Sequence, residues 1–366
     1  MAVWNVTLTT LTPLHIGDGN ELRRDFDFAA RNGRTYRLNV DAILDANDPA
    51  TWQVRDGSYL PPERLLKETD YSNPDLFRYV LLGVPRSTKT DARVKAFIKD
   101  VHDRPYIPGS SVKGALRTAL AWTGWNEVKP KLDRAAIGRS KSWAGQPLEK
   151  RLFGPDPNHD LLRALHVADF RNEQSATDSL VLVNAQVITP RHMQSPIELE
   201  AVKTKVAFHG SITVDDALFS SFAERELHFS NRKKWLDEML ARALAHSRAR
   251  MQTLAEWYEK ADGCEAIAKF YRQLLDAKVG ANKTLLQIGW GAGWDGKTFG
   301  THLQQDKDLF EQVVTDFRMH KAGPNSPARK RGDAFPRSRR AVVSVKDNVA
   351  KALAPLGWVV VEMKAI

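Results

Sequence analysis

Leu285-Leu286-Gln287-Ile288-Gly289-Trp290-Gly291-Ala292-Gly293-Trp294-Asp295-Gly296-Lys297-Thr298-Phe299-Gly300 is the stretch on which the reading of the chain turns. An apolar run with the character of a buried strand opens into a loop with five glycines, two tryptophans and one lysine. Glycine lets backbone N–H groups come close to an anion and accepts φ > 0. Lysine supplies a point charge for phosphate, and tryptophan a face on which a base stacks. The stretch reads as built to hold phosphate and base together. Two other readings stay open. Gly291, Gly296, Lys297 and Thr298 fit the P-loop spacing G-x-x-x-x-G-K-[ST] of nucleotide hydrolases, although no later apolar run ends in an acid that would hold magnesium. A glycine-rich turn between two strands is the other.

Just downstream, residues 318–340 carry eight basic residues (Arg318, Lys321, Arg329, Lys330, Arg331, Arg337, Arg339, Arg340) against one acid, Asp333. The whole chain of 366 residues has a formal charge of +10 and a pI near 9.6, which favours a polyanionic partner or an acidic surface. Its length suits two domains. The single cysteine, Cys264, excludes an intrachain disulfide framework and a cysteine-rich zinc site, and fits a reducing compartment. No apolar run of membrane-spanning length and no signal-peptide pattern is present, so a cytoplasmic protein is expected.

Upstream, Pro105-Tyr106-Ile107-Pro108-Gly109-Ser110-Ser111-Val112-Lys113-Gly114-Ala115-Leu116-Arg117 precedes further apolar residues at helical spacing. Ser110 or Ser111 is expected as the helix N-cap, with Lys113 and Arg117 on one face; such a helix start is a ready phosphate site, or an ordinary capped helix with two solvated cations. At the other end of the chain, residues 3–11 read as a strand stopped at Pro13, followed by a His/Gly loop at Leu14-His15-Ile16-Gly17-Asp18-Gly19. Asp25 to Ala29 alternates as a strand, Asn32-Gly33 marks a hairpin turn, and 35–40 returns. Residues 41–44 read as a short helix and 93–100 as a basic amphipathic helix. Strands are expected at 165–170 and 180–188, a hairpin at 204–214, and two long helices within 216–279. A strand is expected at 341–345, a helix at 346–353, and a last strand at 357–363.

The ten histidines form no H-E-x-x-H or other metal pattern. His15, beside a glycine loop, is a candidate general base on a ribose 2′-OH, or a residue that steadies the loop. Asp18, Asp25 and Asp27 are a weak magnesium set, the last two on one strand face.

The ordered set of Thr12-Pro13-Leu14-His15-Ile16-Gly17-Asp18-Gly19, Tyr106 to Arg117 and the late glycine loop resembles the RAMP superfamily of CRISPR-associated proteins. Leu356-Gly357-Trp358 and Pro336-Arg337-Ser338-Arg339-Arg340 look most like the Csm5-type subunits of type III-A effector complexes. The resemblance implies an α+β fold of two ferredoxin-like (RRM-like) modules with antiparallel sheets: a domain at 1–214, and a second at 215–366 with the helical segment 216–279 and the glycine-rich loop 289–300. It also implies a non-catalytic protein that holds the 3′ portion of the guide RNA (crRNA) at one end of the complex and assists its 3′-end maturation. Target RNA, Csm backbone and small subunits, and host trimming nucleases are the implied partners, with no cofactor, metal or membrane. The expected RNA contacts are His15, Ser110, Ser111, Lys113, Arg117, Gly289, Gly291, Gly293, Lys297, Arg337, Arg339 and Arg340. The enzyme alternative is a metal-independent guide-processing ribonuclease with His15 as base.

Overall fold

The computed structural model describes residues 2–54, 57–320, 328–346 and 349–366. Three sheets and a set of helices make a mixed α/β protein. The first sheet runs in the order Lys283–Gln287, Trp358–Ala365, Ala2–Thr10, Ala207–Val214, Phe170–Arg171, Tyr106–Ile107, and Leu165–Val167 adds to Ala207–Val214. Every pairing in it is antiparallel. Val6 stands opposite Gly210 on one side and Met363 on the other. The sheet therefore takes strands from both sides of residue 214. In Ala2–Thr10, Val6, Leu8 and Thr10 alternate into the interior, as a strand covered on one face requires.

The second sheet runs Val349–Pro355, Arg339–Lys346, Leu180–Ile188, Met193–Val202, Arg93–Phe97, Gly17–Arg23. One of its pairs, Met193–Val202 with Arg93–Phe97, is parallel. The third sheet is the meander Phe28–Arg31, Arg34–Leu38, Phe77–Leu82. Its first turn is the expected Asn32-Gly33, with φ of 49° and 74°.

Gly109–Val128 is the central helix. Val112, Leu116, Ala119 and Leu120 are buried at helical spacing, and the helix packs on Met239–Tyr258. Met239–Tyr258 and Glu265–Asp276 are the two long helices expected in 216–279. They form a second core with the sheet strands, where the Trp358 indole N–H donates to the Tyr271 hydroxyl at 3.0 Å. No helix among the described residues is long and apolar enough to cross a membrane.

Several expectations are corrected. The Arg93–Phe97 stretch is a strand of the second sheet, because Val94 and Ala96 alternate inward between two partner strands. Val349–Pro355 is likewise a strand, paired with Arg339–Lys346. Asp25 and Asp27 lie in a turn before the strand at Phe28, with Asp25 at φ 68°, so they share no strand face. The 204–214 segment is no hairpin: Ala207–Val214 pairs with Ala2–Thr10.

Candidate nucleic-acid interface

The glycine loop leaves the Lys283–Gln287 strand and is fastened from below. Ile288 N–H donates to Gly357 O at 2.9 Å, Gly357 N–H to Pro13 O at 2.8 Å, and Trp290 N–H to His15 O at 2.8 Å. Gly289 and Gly291 have φ of 73° and 98°. A Cβ at Gly289 would stand 2.4 Å from the His15 carbonyl oxygen, and one at Gly291 2.8 Å from Leu356 Cβ. These glycines thus press the loop onto the 14–16 segment and Leu356. A short helix, Gly293–Lys297, follows.

This geometry removes the P-loop reading. In that motif the lysine and hydroxyl residue open the helix. Here Lys297 ends it, and the Thr298 hydroxyl turns back to donate to Trp294 O at 2.9 Å. The preceding strand is antiparallel to Trp358–Ala365.

The central helix meets the loop at its first turn. Its N-cap is Pro108, not Ser110 or Ser111, and the capping acceptor is a remote carboxylate: Asp169 Oδ1 takes the Gly109 N–H at 2.8 Å. Gly109 is pressed on the neighbouring strand, where a Cβ would lie 2.1 Å from Val167 O. Ser110 and Ser111 therefore sit in the first turn, facing the loop. A groove of about 280 Å³ lies between, lined by Ser110, Ser111, Gly289, Gly296 and Lys297. Lys297 is exposed, and its ammonium pairs with no carboxylate among the described residues. The groove therefore joins hydroxyls, a helix start and an unneutralised cation, a set suited to a phosphate.

Other expected contacts are engaged within the fold. Lys113 Nζ donates to Leu165 O at 2.7 Å, and burial lowers its pKa. The Arg117 guanidinium is bound by Glu149 at 2.7 Å and Asp160 at 2.8 Å, and lies over the Phe153 ring. Spacing had put both cations on one helix face; it could not show that acids 32 and 43 residues away occupy the second.

His15 is 2% exposed. Its Nδ1 faces Glu200 O at 2.7 Å, an acceptor, so Nδ1 carries the hydrogen. Burial lowers its pKa, partly offset by that carbonyl. The Glu200 side chain beneath accepts from the Tyr79 hydroxyl at 2.7 Å, the Phe97 N–H at 2.9 Å and the Lys99 ammonium at 2.5 Å. A ring this enclosed steadies the loop and is poorly placed to take a proton from a ribose hydroxyl.

In the basic segment, Lys321 lies outside the described residues. Arg329 is paired with Glu311 at 2.7 Å, pulling that carboxyl down to about 2, and Arg331 is paired with Asp308. Arg339 is buried and meets both oxygens of Asp295 at 2.8 Å. Arg340 is exposed, its guanidinium 4.8 Å over the Trp290 ring. Arg337 is half-buried nearby. Sequence reasoning missed Arg250, which sits under the loop and donates to Gln287 Oε1 at 2.6 Å and Ala292 O at 3.0 Å. It stands among the polar residues of an amphipathic helix, and nothing local marks it as the inward one. Among the described residues no group of acids, histidines or cysteine is arranged to hold a metal.

Two curated relatives are both named CRISPR system Cms protein Csm5. That of Methanocaldococcus jannaschii is 25% identical over 372 residues, covering 95% of this chain and 86% of its own. That of Streptococcus thermophilus is 28% identical over 246 residues, covering 58% and 65%. Among solved structures, a chain of the Csm-crRNA-target RNA ternary complex of a type III-A CRISPR-Cas system has the same fold, with a TM-score of 0.74, 23% identity and coverage of 99% and 100%. The crystal structure of T. onnurineus Csm5 gives a TM-score of 0.62 at 23% identity, covering 97% of this chain and 99% of that one. The RAMP superfamily pattern matches residues 7–294, well over half of the chain; with its glycine loop seated on the 14–16 segment and facing the Ser110–Ser111 helix start, this protein belongs to the RAMP superfamily.

Proposed function

We propose that this chain is a guide-RNA-binding subunit of a type III-A CRISPR effector complex, holding the 3′ portion of the crRNA at one end of the assembly. The observation that carries the reading is the groove in which Ser110, Ser111, Gly289 and Lys297, without a carboxylate partner among the described residues, converge. The names of the curated relatives and the match over 99% of this chain to a chain of the Csm-crRNA-target RNA complex support it. In this reading a backbone phosphate lies across the helix start and Lys297, and Gly291 and Gly293 shape the loop beside it. Arg340, stacked on Trp290, and Arg337 add outer contacts. Lys113, Arg117 and Arg339 act as the frame that fixes the helix and loop. Such contacts hold RNA in place without reading its sequence. Csm backbone and small subunits are the partners, target RNA runs along the guide, and trimming nucleases act on the guide end that this chain exposes. The chain itself is non-catalytic: His15 is sealed under the loop.

The test is purification of the tagged chain from its host with sequencing of bound RNA. Repeat-derived guides with ragged 3′ ends and Csm-type partners are expected; unrelated RNA without those partners overturns the reading. Cleavage of guide RNA that survives EDTA and is lost in His15→Ala would favour the ribonuclease instead.

A further inference from the structure

Beside the phosphate groove lies a second cavity that the proposed function leaves unused. It measures about 370 Å³ and is walled by Trp125, Trp294, Phe299, Leu132, Leu148 and Phe317. The two cavities share Gly114, Thr118 and Lys297, so they adjoin along this face of the helix. The aromatic walls are held in place by the fold. Trp125 stacks on His302 with centroids 4.9 Å apart and planes 7° apart, and Phe299 is 5.6 Å from Trp125. Trp294 is fixed edge-on by Phe335 at 4.9 Å. The rim, by contrast, is polar: Arg117, Glu149 and Thr298 surround the apolar floor. A nucleobase asks for this division, with rings and methyl groups against its faces and hydrogen-bonding groups at its edge.

Gly114 stands where the two cavities join. It lies inside the Gly109–Val128 helix, where glycine is a poor former. Packing does not ask for it: the residue is exposed, and a Cβ there would meet nothing within 4 Å. What the missing side chain leaves is open space on the border that the lysine-bearing groove shares with the aromatic cavity.

We infer that the aromatic cavity takes one unstacked nucleobase of the bound RNA, with the adjoining phosphate in the groove and Lys297 at the junction. The inference rests on the RNA-binding reading above. An apolar side chain of a partner subunit is the rival occupant. The Lys297 ammonium, which has no carboxylate partner among the described residues and lies where the cavities adjoin, favours a nucleotide, whose phosphate it neutralises.

The experiment places 2-aminopurine at successive positions of the guide RNA and binds each RNA to the full chain. Emission is expected to be quenched at one position by stacking on the cavity rings. Gly114→Phe starts from a Cβ position with nothing within 4 Å and puts a ring at the border of the two cavities. It should restore that emission and weaken binding about 5- to 150-fold, the range for loss of one base–aromatic stack. Gly114→Ala, with unchanged quenching, controls for helix stabilisation. Absence of a quenched position overturns the inference, as does quenching unaltered in Gly114→Phe. If Gly114→Phe binds RNA as the wild type does while Lys297→Ala binds weakly, the base cavity falls and the phosphate groove stands. If Gly114→Phe keeps its RNA affinity but no longer joins the effector complex, the cavity belongs to a partner and the inference is overturned. If the wild-type chain binds no RNA, both readings fall.

Discussion

Arg339 meets both Asp295 oxygens at 2.8 Å, and the Arg250 guanidinium lies 3.9 Å from the same carboxylate. All three are buried, so one negative charge serves two positive ones. Asp295→Asn should leave two uncompensated cations in the interior and destabilise the chain by about 3–5 kcal/mol, read from urea unfolding. Lys297, two residues further along, has no such partner among the described residues and should behave oppositely. Lys297→Ala should leave the unfolding midpoint unchanged, weaken guide-RNA binding, and reduce the slope of log affinity against log salt by about 0.7, the value for one single-stranded phosphate contact. An unchanged slope would remove Lys297 from the interface. At this scale the sequence shows which residue types are present, and Ser110, Ser111, Gly289 and Lys297 line one groove. It could not sort free cations from bound ones, because the acids that bind Arg117 and Arg339 come from distant segments.

The contact between the Gly109–Val128 helix and the Leu165–Val167 strand is tight enough to fix the groove. Gly109→Ala would place a methyl 2.1 Å from Val167 O and 2.7 Å from Ala168 O. It should cost about 1–3 kcal/mol and lower RNA affinity as well, because Ser110 and Ser111 move with the helix start. Normal affinity in a destabilised protein would separate the two. Deeper in the same helix pair, His246 of Met239–Tyr258 packs 5.4 Å from the Trp122 ring. Its Nε2 has no hydrogen-bond partner among the described residues. Burial, and then the charge of Arg250, pushes its pKa down to about 3. The unfolded chain, with an ordinary histidine near 6.5, therefore binds this proton more readily than the folded one. Stability is full above pH 6.5 and falls as pH drops toward 3, by about 2 kcal/mol at pH 5. His15 and His302, also lowered chiefly by burial, act in the same direction. Melting at pH 7.5 and pH 5 should show a smaller drop in His246→Asn than in the wild type. The long helices and the Asn32-Gly33 hairpin were legible because their signals are local: a repeated 3.6-residue period and a turn dipeptide. Arg93–Phe97 reads as part of a helix because its alternation is short and Arg93 and Lys95 suit one; the partners that make it a strand are Gly17–Arg23 and Met193–Val202.

Across the whole molecule, Ala2–Thr10 lies between Ala207–Val214 and Trp358–Ala365 in one sheet. A fragment ending at residue 214 would keep Val6 and Leu8 but lose the strand that covers one edge of them. Such a fragment is expected to give no cooperative melting transition by circular dichroism, and a sharp one would show that the first sheet closes without its last strand. This arrangement also sets an order of events during synthesis. The Thr12 hydroxyl accepts the Trp358 N–H across 346 residues of chain. At about 5–20 residues per second, the first strand waits roughly 20 to 70 s with one edge unpaired before its partner leaves the ribosome. Of the strands in this sheet, the one made earliest is therefore among the last to be completed. A nascent chain stalled in that interval presents an open apolar edge, the form most exposed to chaperones and to aggregation.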